Sequence, residues 1–148
     1  MKTNFDIVIA SIPKLSLTAP SNGLAYIKSV VNKKGFNCKL VDWNLDLYQK
    51  IDQNRYKNLW DLNDLSFKYK NLFDEFWEDK LESISNGWLE EARLLNPRWL
   101  GLSLFSIHNL YLAKKLLKIF RKEIPQVRLL VGGPVAAKAG RIFKVPSG

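Results

Sequence analysis

The sequence predicts a doubly wound α/β fold, with a parallel sheet in the flavodoxin-like (Rossmann-like) strand order 2-1-3-4. Short apolar runs rich in β-branched residues alternate with segments of helical period, which is typical of successive β-α-β units. These runs show little polar alternation, as expected for parallel strands that are covered on both faces. A length of 148 residues fits one domain, 1–148, with a hydrophobic core of its own.

The first β-α-β unit occupies the N-terminal third of the chain. Its two apolar runs flank a loop rich in Ser, Thr and Pro and a segment whose apolar residues recur at helical spacing. Lys33, Lys34 and Gly35 give the helix a cationic last turn and a C-terminal glycine, and Asp42 ends the second strand. In order, we expect a strand at 6–10, a loop at 11–22, a helix at about 24–34 and a strand at 36–41.

Residues 45–96 interrupt this pattern with a segment that is dense in aromatic residues and interleaved charges. Apolar and aromatic side chains recur there at helical spacing, so we expect a helical insert of two or three amphipathic helices. Such an aromatic density is too high for a chain that stays solvated, so the insert should pack over the sheet edge. Asn96-Pro97 ends the segment.

A second pair of strands follows the insert. Ser106 or Asn109 is expected to cap the helix between them, and Pro125 to end it. The second of these strands leads directly into Gly132-Gly133-Pro134, and the tail from Val135 to Gly148 shows no clear strand. The last helix and strand of such a fold are missing, so the domain is truncated at its C-terminus or completes its sheet differently. We expect strands at 99–105 and 127–131.

Charge is unevenly distributed along the chain, whose net charge is +9. Residues 1–50 contain seven basic and three acidic residues, residues 51–96 contain six and ten, and residues 97–148 contain ten and one. Basic flanks of this kind attract nucleic acid, an anionic cofactor or an acidic partner domain, or are simply solvated surface.

Several classes of protein are excluded by composition. The single cysteine, Cys38, excludes an internal disulfide framework and any iron–sulfur or zinc site that needs two cysteines from this chain. The N-terminus lacks the features of a signal or transit peptide, and no apolar run approaches the roughly 20 residues of a membrane span. We therefore expect a cytoplasmic protein without membrane contact.

The predicted topology places a ligand site at the carboxyl edge of the sheet. Strand order reverses between strands one and three, and ligands of open α/β sheets bind in the crevice at that point. The loops 11–22, 103–109 and 132–135 border it, and they offer hydroxyls, amides and helix N-termini near Ser21 and Ser106 that suit phosphate. Gly132 and Gly133 permit a close approach of backbone to ligand, so Gly133→Val is expected to abolish binding without unfolding. Each of these residues also has an ordinary structural interpretation as a turn or cap.

Familiar catalytic motifs are absent from the sequence. There is no Gly-x-Gly-x-x-Gly after the first strand, no Walker A sequence and no recognisable Ser/His/Asp set. The lone histidine, His108, has no cysteine or histidine neighbour in sequence with which to share a metal. A capping or ligand-facing role at the start of the second predicted long helix suits it better than catalysis.

Four segments, in order and at consistent spacing, resemble a known family. The segments are Pro20-Ser21-Asn22-Gly23-Leu24-Ala25-Tyr26-Ile27, Gly35-Phe36-Asn37-Cys38-Lys39-Leu40-Val41-Asp42, Pro97-Arg98-Trp99-Leu100-Gly101-Leu102-Ser103, and Pro125 to Pro134. In that order they are similar to the motifs P-x-x-G-L-x-Y-L, G-x-x-V-x-x-x-D, P-D-x-V-G-I-S and P-x-x-x-I-V-x-G-G-P of the N-terminal cobalamin (B12)-binding domains of B12-dependent radical SAM enzymes.

The resemblance implies a corrinoid at the carboxyl edge. Residues 132–134 would pack near its nucleotide tail, residues 103–106 would face the corrin ring, and the loop 11–22 would approach the ring's lower face. That loop contains no histidine, so no protein group is expected on the cobalt and no residue is assigned as a metal ligand. The implied cofactor-binding residues are Ser11, Leu15, Thr18, Pro20, Gly23, Asp42, Ser103, Leu104, Phe105, Ser106, Asn109, Gly132, Gly133 and Pro134.

The chain departs from the family by lacking the cysteine motif that holds its iron–sulfur cluster. The resemblance therefore implies that S-adenosylmethionine and the 4Fe-4S cluster belong to a radical SAM domain that lies downstream or on a separate chain. Nucleic acid is not expected as a partner on this interpretation. Two alternatives stay open: a flavodoxin-like module for another nucleotide cofactor, and a basic module that binds nucleic acid or protein.

Overall fold

The computed structural model describes residues 4–17 and 22–136, which form an α/β fold with four parallel strands. Thr18 and Pro20 of the predicted site, and most of the predicted tail, lie outside the described residues. The elements are β1 (Phe5–Ser11), α1 (Asn22–Lys33), β2 (Cys38–Asp42), α2 (Trp43–Lys50), α3 (Lys70–Phe76), a π-helical turn (Trp77–Leu81), α4 (Glu82–Leu95), β3 (Pro97–Ser103), a 3₁₀ turn (Ile107–Asn109), α5 (Leu110–Glu123) and β4 (Arg128–Gly132).

The sheet has the order β2-β1-β3-β4, which confirms the predicted topology. The connections β2-to-β3 and β3-to-β4 run in one direction across the sheet and β1-to-β2 runs in the other. Right-handed crossovers therefore place α1 on one face and the remaining helices on the opposite face.

The two faces are covered very unequally. The larger core joins Val8, Ala10, Leu100 and Leu102 of the sheet to buried residues of α2, α4, α5 and the insert. The smaller core contains Ile9 and Cys38 of the sheet and Leu24 of α1. The insert connects β2 to β3, and its buried side chains form much of the larger core.

The structure confirms that the predicted insert is folded. Its helices α3 and α4 and the π-helical turn bury six aromatic or large apolar side chains, namely Phe73, Phe76, Trp77, Leu81, Trp88 and Leu89. Residues 51–69, all described, form turns rather than helices, yet Leu59 and Phe67 of this stretch are buried in the same core. Helix α2 also begins earlier than predicted, because the Asp42 carboxylate accepts the Leu45 N–H at 2.9 Å and caps it directly at the end of β2.

Three predicted strand boundaries are wrong by two residues. Strand β3 begins at Pro97 rather than 99, and the other two boundaries differ for local reasons. Strand β2 begins at Cys38 rather than 36, because Gly35, with φ of 88°, ends α1 and the following two residues complete the turn. Strand β3 ends at Ser103 rather than 105, because the Asn109 side-chain oxygen accepts the N–H groups of Phe105 and Ser106. Those two N–H groups are therefore not available for hydrogen bonds to a neighbouring strand.

None of the helices among the described residues is long and apolar enough to cross a membrane.

Candidate functional site

The strand register aligns four residues in one row at the carboxyl edge of the sheet. Ser11 lies opposite both Asp42 and Ser103, and Ser103 lies opposite Gly132. All four are predicted site residues, and Ser11 and Ser103 stand on the two strands between which the order reverses. These two residues therefore flank the point at which α/β sheets bind ligands.

The loop after β1 is held in place by two asparagine side chains from distant parts of the chain. The Asn109 amide donates to the Ile12 carbonyl at 3.0 Å. The Asn44 amide pairs with both backbone groups of Leu15, accepting from its N–H at 3.0 Å and donating to its carbonyl at 3.1 Å. Since each contact satisfies polar groups that are wholly or partly buried, residues 12–15 of this loop are held against the rest of the fold.

Lys14 ties the same loop to the insert. Its side chain is buried, and its ammonium donates to the backbone carbonyls of Asp61 at 2.7 Å and Asp64 at 2.8 Å. Burial lowers the pKa of Lys14, while the nearby Asp64 and Asp61 carboxylates oppose this shift. The insert therefore supplies acceptors for a cation at the border of the site.

The loop after β3 is built around Asn109, whose side chain is completely buried. Ser106 and Asn109 form a reciprocal capping box, and the Ser106 hydroxyl accepts the His108 N–H at 3.2 Å. This turn directs Phe105, which is 62% exposed, and Ile107, which is 52% exposed, toward solvent. Two exposed apolar side chains beside the strand ends are suited to contact the flat face of an apolar ring system.

The two consecutive glycines after β4 have different surroundings. A Cβ atom on Gly132 would meet no atom within 4 Å, so its backbone is open to a ligand. Gly133 has φ of 103°, and a Cβ atom there would lie 2.5 Å from the Leu104 carbonyl oxygen. The conformational freedom of Gly133 is therefore needed for backbone packing, which corrects the expectation that Gly133→Val would leave the fold intact.

His108 lies near the loop after β1 rather than on an open surface. Its Nδ1 atom is buried and has no hydrogen-bond partner in the described part of the chain. Burial lowers the pKa of His108, Lys14 and Lys68 lower it further, and Asp64 opposes them. The imidazole is therefore harder to protonate than that of an exposed histidine.

We expect acidification to destabilise the fold through His108. The pKa of His108 is lower in the folded protein than its ordinary value of about 6.5 in the unfolded chain. At a pH between these two pKa values, the unfolded chain binds a proton at His108 and the folded chain does not. Unfolding free energy should therefore fall as pH drops from about 7 through this window, and His108→Gln should weaken that pH dependence.

Proton NMR checks this shift without assignment, since the chain contains one histidine. The imidazole signals should titrate with a midpoint below about 6.5. A midpoint at or above that value, with equal pH dependence in His108→Gln, would contradict the expectation.

The structure brings some predicted site residues to an accessible edge and buries others. Ser103 and Ser106 are half-buried, while Phe105, Gly132 and Pro134 are exposed there. Leu104 and Asn109 are fully buried, and Ser11 is nearly so. Of the remaining described candidates, Leu15 is half-buried, and Gly23 in α1 and Asp42 at the end of β2 are exposed.

Lys14 lies in the predicted loop 11–22 but was not named as a site residue, and Asn44 was not predicted in this region. Neither stands in a motif, and their hydrogen-bond partners lie 16 to 50 residues away in sequence, so no local signal could identify them. Two surface clefts lie elsewhere, one along α1 beside Lys28 and Asn32 and one in the insert beside Tyr56 and Asp79.

The described residues contain no group of three or more His, Cys, Asp or Glu side chains that could hold a metal ion. Comparisons with protein-family models, curated proteins and solved structures find no match to this chain. Assignment of a function therefore depends on the residues and on their geometry.

Proposed function

We propose that this chain is a corrinoid-binding domain that holds cobalamin at the carboxyl edge of its sheet. The observation that carries the proposal is the row at the strand ends, in which Ser11 and Ser103 flank the switch point and Gly132 leaves its backbone open. The order of four sequence segments similar to cobalamin-binding domains is consistent with this geometry.

The residues present fit such a ligand in chemical type. Phe105 and Ile107 offer exposed apolar surface for the edge and face of the corrin ring. The hydroxyls of Ser103 and Ser106 can hydrogen-bond the amide groups around that ring. Gly132 admits the nucleotide tail close to the backbone. When bound, the cobalt of a corrinoid supplies methyl-transfer chemistry, and this chain's role is to bind and orient it.

The reaction itself would be completed by a partner. A single cysteine cannot hold an iron–sulfur cluster, so a downstream or separate radical SAM domain would carry that cluster and S-adenosylmethionine. We place this assembly in the cytoplasm and assign it no membrane contact.

The direct test is to incubate the full chain with hydroxocobalamin, desalt it and record the absorbance spectrum. We expect the corrinoid to be retained, and Gly132→Val to weaken its binding at least tenfold while melting at nearly the wild-type temperature. Gly87→Val, on α4 near the flexible end of Lys50, is the matched control and should bind normally. Loss of corrinoid from wild type, with retention of a flavin nucleotide after the same treatment, would favour the flavodoxin-like alternative.

Cobalt ligation gives a second, spectroscopic prediction. Residues 11–17 contain no histidine, and His108 stands on the turn after β3 rather than in the loop expected to approach the lower face of the ring, so we propose that no imidazole of this chain binds the cobalt. We expect the cob(II)alamin form to show electron paramagnetic resonance lines without nitrogen splitting, with the base of the cofactor displaced. Triplet splitting that disappears in His108→Ala would identify His108 as a ligand and contradict this prediction.

A further inference from the structure

Helix α5 carries a continuous cationic stripe that the proposed corrinoid site does not use. Four basic side chains on this helix, at Lys114, Lys118, Arg121 and Lys122, are exposed. Their spacing of four, seven and eight residues from Lys114 puts them on one side of the helix. With a rise of about 1.5 Å per residue, the stripe is about 12 Å long.

The stripe has no counter-charge on its own helix. Glu123 is the one acidic residue of α5, and its carboxylate is paired at 3.1 Å with Arg93 of α4. Within the described ranges, 4–17 and 22–136, no ion pair involves any of the four cations. The +9 charge of residues 97–148 is therefore partly concentrated on one surface that is open to an anionic partner.

The aromatic side chains next to the stripe are covered by lysines. The Lys114 ammonium lies 5.8 Å from the ring centre of Tyr111, and the Lys115 ammonium lies 5.4 Å from that of Trp77. No large apolar side chain of α5, whose residues are all described, is among the exposed ones. The surface thus offers no free ring for base stacking and no apolar anchor.

These features distinguish between classes of anionic partner. Protein interfaces have an apolar core with aromatic anchors, and surface helices that bind membranes insert apolar side chains. Single-stranded nucleic acid is bound by stacking on aromatic rings. A duplex presents two lines of phosphates, and a protein that binds them needs neither an apolar anchor nor a free aromatic ring. Protein interfaces with DNA are also much more positively charged than interfaces with other proteins.

We propose that the α5 stripe docks on the phosphate backbone of double-stranded nucleic acid, without base readout. This inference is independent of the corrinoid proposal, because the stripe lies on the outer side of α5 and the corrinoid site lies at the strand ends. If each of the four cations contacts one phosphate, a plot of the logarithm of the binding constant against the logarithm of salt concentration should have a slope of about −3.6.

Fluorescence anisotropy of the full chain with a labelled 20-base-pair duplex, between about 50 and 200 mM salt, tests this proposal. Neutralising Lys118→Gln and Arg121→Gln together should weaken binding at least tenfold and make the slope about 1.8 less steep. The control pair Lys33→Gln and Lys34→Gln removes the same charge from the exposed end of α1 and should leave the slope unchanged. Circular dichroism and melting temperature establish that each variant is folded.

Three outcomes would overturn the proposal. Equal losses in the two variant pairs would show an effect of net charge rather than of the stripe. Tighter binding to a single strand of the same length would contradict the choice of a duplex. Binding to polyglutamate or to phosphatidylserine vesicles that depends on Lys118 and Arg121, with none to the duplex, would assign the stripe to an acidic protein or to a membrane.

Discussion

Replacement of Gly133 by alanine should reduce the free energy of unfolding by about 3 kcal/mol or more. The new Cβ atom would lie 2.5 Å from the Leu104 carbonyl oxygen, a backbone atom that cannot move aside like the end of a flexible side chain. The positive φ of 103° adds strain of about 1–3 kcal/mol for a residue with a side chain. Urea denaturation followed by tryptophan fluorescence measures this loss.

The neighbouring glycine provides the matched control. Gly132→Ala adds the same methyl group where no atom lies within 4 Å, so stability should change by less than about 1 kcal/mol. Equal stabilities of the two variants would mean that the turn after β4 does not pack on Leu104 as described. Because Gly133 variants are destabilised, ligand binding is better tested at Gly132.

Removal of the Trp88 side chain should have a comparable or larger effect, about 3–5 kcal/mol for Trp88→Ala. Trp88 is buried and stacks on Trp43, with ring centres 5.4 Å apart and planes at 6°. Its indole N–H donates to Asp46 at 2.7 Å, and that of Trp43 donates to Glu91 at 2.9 Å. The pair therefore joins α2 to α4 by packing and by two charge-assisted hydrogen bonds.

The variant Trp88→Phe separates these two contributions. It keeps an aromatic ring against Trp43 and removes the hydrogen bond to Asp46, so it should cost less than alanine, about 1–3 kcal/mol. Both unfolding free energies can be measured by guanidinium denaturation. A cost below about 1 kcal/mol for Trp88→Ala would contradict the description of this pair as part of the core.

The sequence was sufficient to predict the sheet order, because apolar runs such as residues 6–10 are short and bounded by clear turn residues. The right-handedness of crossovers between parallel strands then leaves few possible topologies. Boundaries depended on hydrogen bonds from single side chains to backbone N–H groups three or four residues away. Asn109 ends β3 and Asp42 starts α2, and neither effect is encoded in hydrophobic periodicity.

The sequence predicted which candidate residues stand at the strand ends, but not the structural role of each of them. Polar residues after parallel strands point to the carboxyl edge, and the register aligns Ser11 with Ser103 there. Sequence alone does not separate a side chain that faces solvent from one that satisfies buried backbone. Asn109 belongs to the second kind, since its oxygen and its amide nitrogen are both bonded within the fold.

The contact between Lys14 and the insert limits how far this domain can be reduced in size by engineering. Residues 51–69 contain neither helix nor strand and look dispensable, yet the carbonyls of Asp61 and Asp64 are the acceptors of the buried ammonium. Excising that stretch would remove both acceptors of the Lys14 ammonium together with the buried side chains of Leu59 and Phe67, and so destabilise the fold. A minimal version would therefore have to replace Lys14 by a neutral residue at the same time.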